Sequence, residues 1–163
     1  MSSSFPIQEW LSIHPLEWSG VAAAIVCGTI VGLERQIRGK PVGIRTSSLI
    51  VLGTYVFITI ASFAANDMMD SSRIIGQVVT GIGFLGAGVM LAREGMVVGV
   101  TSAATIWALA AVGTVIPLAS EAAAIKLSLV IVGILYGVDL LEDYSTALTR
   151  GVHSRYNGWK RRD

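Results

Sequence analysis

Residues 46–65 read TSSLIVLGTYVFITIASFAA and contain no charged side chain. A helix needs about 20 mostly apolar residues to cross a bilayer core of about 30 Å, so this stretch predicts a membrane-spanning helix. A fifth stretch, residues 122–138, contains Lys126, whose ammonium group can reach the lipid headgroups from a helix end. Three further stretches are uncharged along their whole length, at residues 18–33, 74–92 and 95–120. The pattern therefore predicts five spans.

The composition agrees with a membrane location. Of the 163 residues, 53% are hydrophobic and 14% are charged, and the mean hydropathy is +0.67. Ordinary soluble domains carry about 25% charged residues. Because so many apolar side chains need lipid around them, we expect an all-α membrane protein, a polytopic bundle of about five transmembrane helices. The same composition argues against a soluble enzyme.

The basic residues predict the orientation of the bundle. Most of them lie in the loop at residues 34–45 or in the tail after residue 149, which fall on the same side of a five-span protein. Only Arg73 and Lys126 fall on the other side. The positive-inside rule then places the N-terminus outside and the C-terminus in the cytoplasm.

This orientation predicts three parts of the chain. Residues 1–17 form an extracytoplasmic segment, residues 18–138 form the five-helix transmembrane domain, and residues 139–163 form a short cytoplasmic tail. The tail is amphipathic at first and basic towards its end, so we expect its first part to lie at the membrane interface.

Small residues repeat along two of the predicted spans. In span one Gly20, Ala24, Gly28 and Gly32 fall four apart, and in span five Gly133 and Gly137 do the same. Such faces let membrane helices approach closely, where lipid removes most of the hydrophobic driving force. We therefore expect close helix packing, and self-association of the chain.

Span three has the highest glycine density, with Gly81, Gly83, Gly86 and Gly88 in the run GIGFLGAG. The run also satisfies the GxGxxG pattern, but a dinucleotide site requires a preceding strand and a soluble helix, so we reject that interpretation. Close packing is the favoured interpretation. The alternative is a weakened or broken helix whose backbone lines a polar cavity, as in transporters.

Polar side chains that border lipid are candidates for function. Glu34 and Arg35 end span one, and Arg45 and Thr46 begin span two, both at the cytoplasmic face. The simpler interpretation is a surface ion pair with charges that set the topology. The functional alternative is a preorganised cluster that gates a site between the helices.

A second polar group enters span three from the outside. Arg73, Gln77 and Thr80 are spaced to share one helical face, and Asp70 precedes them. Asp70 could cap the helix, or it could attract a cation together with Asp67. Two carboxylates are only a weak signal for a metal site, because Mg²⁺ keeps several waters and needs few protein ligands. Asp70 is therefore a weak metal candidate, and the metal is unknown.

A third group of polar side chains opens span four and includes Thr101, Ser102, Thr105 and Trp107. Packing is the favoured role, because hydroxyl groups can bond back to their own helix. The alternative is a polar pocket against span three.

The sequence contains no pattern typical of catalysis. Neither His14 nor His153 has ligand residues nearby in sequence, and no nucleophile–base pair, zinc motif or P-loop is present. No basic tract with interleaved aromatic residues indicates nucleic-acid binding. We therefore expect no enzymatic activity, no cofactor and no nucleic-acid partner.

Several of these segments together resemble the MgtC/SapB family of bacterial inner-membrane proteins, over about residues 20–138. The resemblance rests on motifs in the same order along the chain: Gly32–Gln36, Gly43–Thr46, Asp70–Arg73 with Gln77, Gly81–Gly88 and Thr101–Trp107. Ser71, Val98 and Ala108 depart from residues frequent in the family.

The resemblance implies a multi-pass protein of the inner membrane, associated in the family with growth at low magnesium and, in some pathogens, with virulence. Some relatives are thought to act on the membrane ATP synthase rather than to transport an ion.

Two functional hypotheses follow from the residues and the resemblance. The first is a non-enzymatic regulator or binding module linked to magnesium or ion homeostasis, with a membrane-protein partner or a second copy of the chain. The second is a small cation or solute transporter with a polar site between helices one to four. Beyond the lipid bilayer, a divalent cation is the other partner to consider.

Overall fold

Five α-helices account for most of the described chain. The computed structural model describes residues 11–64, 71–93 and 96–144. The helices are α1 (Trp18–Ile37), α2 (Ile44–Ala64), α3 (Ser71–Ala87), α4 (Val100–Leu118) and α5 (Glu121–Tyr144). This architecture confirms the all-α membrane bundle. Asp70 and the tail after Tyr144 lie outside the described residues.

Four of these helices, α1, α2, α4 and α5, are long and apolar enough to cross a membrane. The fifth, α3, has 17 residues and is apolar from Arg73 to Ala87. At 1.5 Å per residue α3 is about 25 Å long, slightly less than the bilayer core of about 30 Å. Local thinning of the bilayer or reorientation of flanking side chains accommodates such a difference at small cost.

The core of the bundle lies between α1, α2 and α4. Val31, Val51, Leu109 and Val112 contribute fully buried side chains from all three helices, and Cys27 lies among them. The helices α3 and α5 pack against this centre from outside and keep much of their apolar surface exposed. Exposed apolar side chains are expected where the solvent is lipid.

Glycines on α1 bring its backbone against α2. A methyl group at Gly28 would overlap the backbone of Ser48, and one at Gly32 would overlap the backbone of Ile44. Gly113 on α4 meets the Val51 carbonyl in the same way. The predicted small-residue face of α1 is therefore confirmed, and α4 adds a close approach that the spacing did not indicate.

Most of the other predicted glycines make no close helix contact within the described part of the chain. A Cβ atom added at any of four of them would have no described atom within 4 Å; these four are Gly81, Gly83, Gly133 and Gly137. Gly86 does pack, against Ala103 of α4, and Gly88 lies in the turn after α3. The run stays helical through Ala87, so the broken-helix alternative does not hold there either.

The boundary between spans three and four differs from the prediction. Residues 88–93 and 96–99 are not helical; instead β1 (Leu91–Arg93) pairs antiparallel with β2 (Met96–Val98) between the two helices. Gly99 has a φ of 92°, a conformation that favours glycine, and α4 begins directly after it. The absence of charge marks apolar residues but does not separate an apolar hairpin from an apolar helix.

Candidate functional site

The polar candidates collect where α1 ends and α2 and α4 begin. Arg35 in the last turn of α1 contacts Ser102 in the first turn of α4, and the short loop after α1 leads directly into α2. Arg38, Lys40 and Arg45 lie at the same end. The positive-inside rule predicts that this end faces the cytoplasm.

A buried ionic cluster lies at this end. The Glu34 and Arg35 side chains are 7% and 5% exposed, and Arg35 Nη1 lies 3.9 Å from Glu34 Oε2. Arg38 Nε lies 2.9 Å from Glu34 Oε1, one helical turn further on. Arg35 Nη2 also donates a hydrogen bond of 3.0 Å to Ser102 Oγ. The cluster thus joins α1 to α4 through charged groups.

The hydrogen-bonding capacity of this cluster is only partly used. Among the described residues, neither carboxylate oxygen of Glu34 accepts an aligned hydrogen bond, and Arg35 Nε donates none. The short approach of Arg38 Nε to Oε1 is therefore a charge contact rather than a hydrogen bond. Buried charges are costly unless paired, so Glu34 depends on the two guanidinium groups.

The charge balance of the cluster disfavours a cation site. Among the described side chains, one carboxylate faces two guanidinium groups, and a bound cation would have to compete with both for the Glu34 oxygens. Within the described residues, no group of three His, Cys, Asp or Glu side chains could hold a metal ion. A divalent cation at this cluster therefore lacks support from its chemistry.

Arg38 extends the cluster to α5. Its guanidinium carbon lies 5.0 Å from the centre of the Tyr136 ring. A cation over an aromatic face at this distance contributes about 0.5–1 kcal/mol at an exposed site. The end of α1 therefore contacts α4 through Arg35 and α5 through Arg38.

The loop between α1 and α2 is held in a strained conformation. Val42 has a φ of 68°, which is unfavourable for a β-branched residue. Ser47 Oγ donates a 3.0 Å hydrogen bond to the Val42 carbonyl, and the Ile44 N–H donates to Gln36 Oε1 at 3.3 Å. These bonds fix the start of α2 and hence the positions of Arg45 and Thr46.

Arg45 and Thr46 do not join the buried cluster; they line a separate groove. The groove lies between α2 and α3 and has a volume of about 670 Å³. Its polar members are Arg45, Thr46, Thr54 and Gln77, and the remaining lining is apolar or glycine. The functional prediction for Arg45 and Thr46 as partners of Glu34 and Arg35 is thus not met.

The other predicted polar residues lie apart from both features. Arg73 and Thr101 are exposed, and Trp107 is 55% exposed on α4. Thr105 Oγ1 bonds back to the Thr101 carbonyl at 2.8 Å, which is the packing role favoured for the hydroxyls. Only Ser102, from the same segment, contributes to the cluster.

Ser102, Arg38 and Tyr136 were not selected as site residues from the sequence. Ser102 stood among the hydroxyls that open span four, but its bond to Arg35 joins positions 67 residues apart. No spacing rule within one helix predicts a contact between residues so far apart in sequence. The i,i+4 relation of Glu34 and Arg38 is the one signal that could have been used.

Comparisons with known proteins agree on one family. The model of the MgtC family matches residues 21–144. The chain is 48% identical over 103 residues to the Escherichia coli K12 protein YhiD, whose name proposes it as a magnesium transporter, covering 59% of this chain and 47% of that one. It is 40% identical over 93 residues to Protein MgtC of Brucella abortus, covering 57% of this chain and 39% of that one.

The chain thus spans less than half the length of these curated relatives. No solved structure matches it. The family model covers well over half of the chain, and the helices that it covers are long and apolar. The chain therefore belongs to the MgtC family and is a multi-pass membrane protein.

Proposed function

We propose that this protein is a non-enzymatic binding and regulatory module of the bacterial inner membrane, linked to magnesium homeostasis. The observation that carries the proposal is the closed interior of the bundle. A transporter needs polar groups along a path through the membrane. Between α1, α2 and α4 the interior instead holds fully buried apolar side chains, including Val31, Val51 and Leu109.

The close approaches of the helix backbones support the same conclusion. Gly28 lies against Ser48 and Gly113 against Val51, so α1, α2 and α4 leave no space for a hydrated path at these levels. At the cytoplasmic end the Glu34–Arg35 pair adds a charged contact with α4. A protein with such an interior acts through its outer surfaces.

The magnesium link rests on the family. The name of the Escherichia coli relative refers to magnesium transport, and the family resemblance implies a role at low magnesium. The helical spans support the proposed inner-membrane location, since bacterial outer-membrane proteins are β-barrels. We propose no catalytic role, because the buried Glu34 carboxylate is paired with two arginines and does not line the groove between α2 and α3.

The outer face of α5 is the best candidate for a partner helix. Gly133 and Gly137 lie one turn apart, and no described atom lies within 4 Å of where their side chains would begin. Two such glycines allow a second helix to approach closely in lipid. The partner is a membrane protein or a second copy of this chain.

Site-specific photocrosslinking in native membranes tests this function. We expect a photoreactive residue at Leu129, which is 56% exposed one turn before Gly133, to give one discrete adduct. The same residue at Val26, which is 45% exposed on α1, serves as the control and is expected to give none. Failure of the Leu129 probe to give an adduct, with the protein at its native level, would contradict the proposal.

A physiological readout completes the test. Cells that lack the protein should grow poorly when magnesium is limiting, and the wild-type chain should restore growth. Gly133→Phe blocks the α5 face and should not restore it, although it leaves the core untouched. Full restoration by Gly133→Phe would argue against action through this face.

Transport is the second candidate function, favoured by the groove between α2 and α3. Gln77 places an amide in this groove at a level where polar groups are costly in lipid. Liposomes that contain the purified protein would then show Mg²⁺ uptake, reduced by Gln77→Leu. Absence of uptake above that of protein-free liposomes would remove this candidate.

A further inference from the structure

The groove between α2 and α3 is long enough for the acyl chain of a lipid in one leaflet. It follows α2 from Arg45 to Phe57, a length of about 18 Å at 1.5 Å per residue and close to half of a bilayer core of about 30 Å. Its volume is about 670 Å³.

Glycines keep this groove open. Gly53 on α2 and Gly81 on α3 both line it, and no described atom lies within 4 Å of where their side chains would begin. Leu49, Ile82 and Leu85 supply much of the apolar lining. The interior of the groove therefore matches a hydrocarbon occupant.

One end of the groove is positively charged. Arg45 lines it there with an exposed side chain, in the first turn of α2. The N-terminus of a helix carries the positive end of the helix dipole and favours anions. Basic residues of the preceding loop lie at the same end of the bundle, the one predicted to face the cytoplasm. The groove thus offers a cationic end followed by an apolar trough.

We propose that this groove binds an anionic phospholipid of the cytoplasmic leaflet. The phosphate lies at Arg45 and the start of α2, with Thr46 as a neighbouring hydroxyl, and one acyl chain lies between α2 and α3. The charge at the cytoplasmic end selects the headgroup, and the apolar lining of the groove accommodates the chain. This inference goes beyond the proposed regulatory function and does not depend on it.

Lipid binding to the purified full-length chain in neutral detergent tests this site. Native mass spectrometry would compare phosphatidylglycerol with phosphatidylcholine for the wild type, Arg45→Gln and Gly81→Phe. One basic residue near a membrane contributes about 1 kcal/mol to anionic-lipid binding, which corresponds to about fivefold in affinity. We expect the wild type to prefer phosphatidylglycerol by about fivefold, Arg45→Gln to lose that preference, and Gly81→Phe to lose binding of both lipids.

Matched controls separate this site from general lipid contact. Lys40→Gln removes an exposed charge from the same end of the bundle but not from the groove. Val26→Phe adds an aromatic ring at an exposed position of α1 that does not line the groove. Both should bind as the wild type does. If Gly81→Phe is not monodisperse, Gly53→Leu fills the same groove from α2.

Four results would overturn the proposal. The first is undiminished lipid binding by the folded groove-filling variant. The second is an equal loss of lipid preference in Lys40→Gln and Arg45→Gln. The third is binding of inorganic phosphate as tight as that of phosphatidylglycerol. The fourth is a dimer that phosphatidylglycerol does not disperse and that Gly81→Phe breaks, because a second copy would then occupy the groove.

Discussion

Arg35 carries its charge at a position where only 4% of the residue is exposed. Its guanidinium faces a carboxylate of the same helix and a hydroxyl of α4, so one side chain serves two helices. Buried ion pairs add little stability over apolar packing, but removing one member leaves the other charge uncompensated. The cluster therefore specifies how α1 meets α4 more than it strengthens the bundle.

Arg35→Leu is expected to lower the free energy of unfolding by about 3–5 kcal/mol, because Glu34 loses one of its two cationic neighbours. Equilibrium unfolding in detergent micelles measures this change. Lys40→Leu, at an exposed position of the same end, is the control and should change stability by less than about 0.5 kcal/mol. Equal effects of the two variants would contradict the structural role of the cluster.

Ser102→Ala is expected to cost about 1.5–3 kcal/mol, the range for a hydrogen bond to a charged group. Because Arg35 and Ser102 act on each other, the double variant with Arg35→Leu should cost clearly less than the two single changes together. The same unfolding measurement on both single variants and the double variant gives the interaction energy between the two side chains. Strict additivity would mean that the 3.0 Å contact contributes nothing.

At the scale of the elements, the spacing of two helices depends on whether a glycine meets backbone or open space. Gly28 lies against the backbone of Ser48, which cannot move without moving α2. A Cβ atom added at Gly53 on α2 would have no described atom within 4 Å. Both glycines lie within a helix, so their intrinsic cost relative to alanine is similar.

Gly28→Ala and Gly53→Ala should therefore have opposite effects. The first should destabilise the protein by at least about 1–3 kcal/mol, because the added methyl group forces the backbones of α1 and α2 apart. The second should be neutral or stabilising by up to about 1 kcal/mol, since alanine is the better helix former. Thermal unfolding of both variants in one detergent tests this, and a loss of stability in both would argue against the assigned packing.

At the scale of the whole molecule, one contact decides the number of crossings. The end of α1 contacts the start of α4 through Arg35 and Ser102, so these two points lie on the same side of the membrane. With α2 and α4 both crossing, α3 must cross as well, although it has only 17 residues. The described bundle then has five spans, and the start of α1 and the end of α5 lie on opposite sides of the membrane.

Cysteine labelling of intact cells tests this topology. Lys40→Cys lies in the loop between α1 and α2, and Ser120→Cys lies between α4 and α5, and both positions are exposed. A membrane-impermeant maleimide should label Ser120→Cys from outside and should label Lys40→Cys only after lysis. The native Cys27 is fully buried and should not react. Labelling of both variants from the same side would contradict five crossings.

The sequence by itself determined the fold class, because uncharged stretches such as residues 46–65 leave only lipid as a solvent. It also determined the close face of α1, because a repeat of small residues every four positions lies along one side of a helix. The hairpin after α3 could not be predicted from the sequence, since the valines and glycine at residues 97–99 are as apolar as the helices beside them.

Only the tertiary structure decided which polar residues meet. Arg35 was selected together with Arg45, yet Arg35 turns inward to Ser102 while Arg45 lines the groove with Gln77. It also decided that Gly28 packs against α2, while no described atom lies within 4 Å of where a side chain at Gly81 or Gly133 would begin. Composition and periodicity describe one helix at a time, whereas these outcomes depend on where other helices lie, and that information resides in contacts between distant residues.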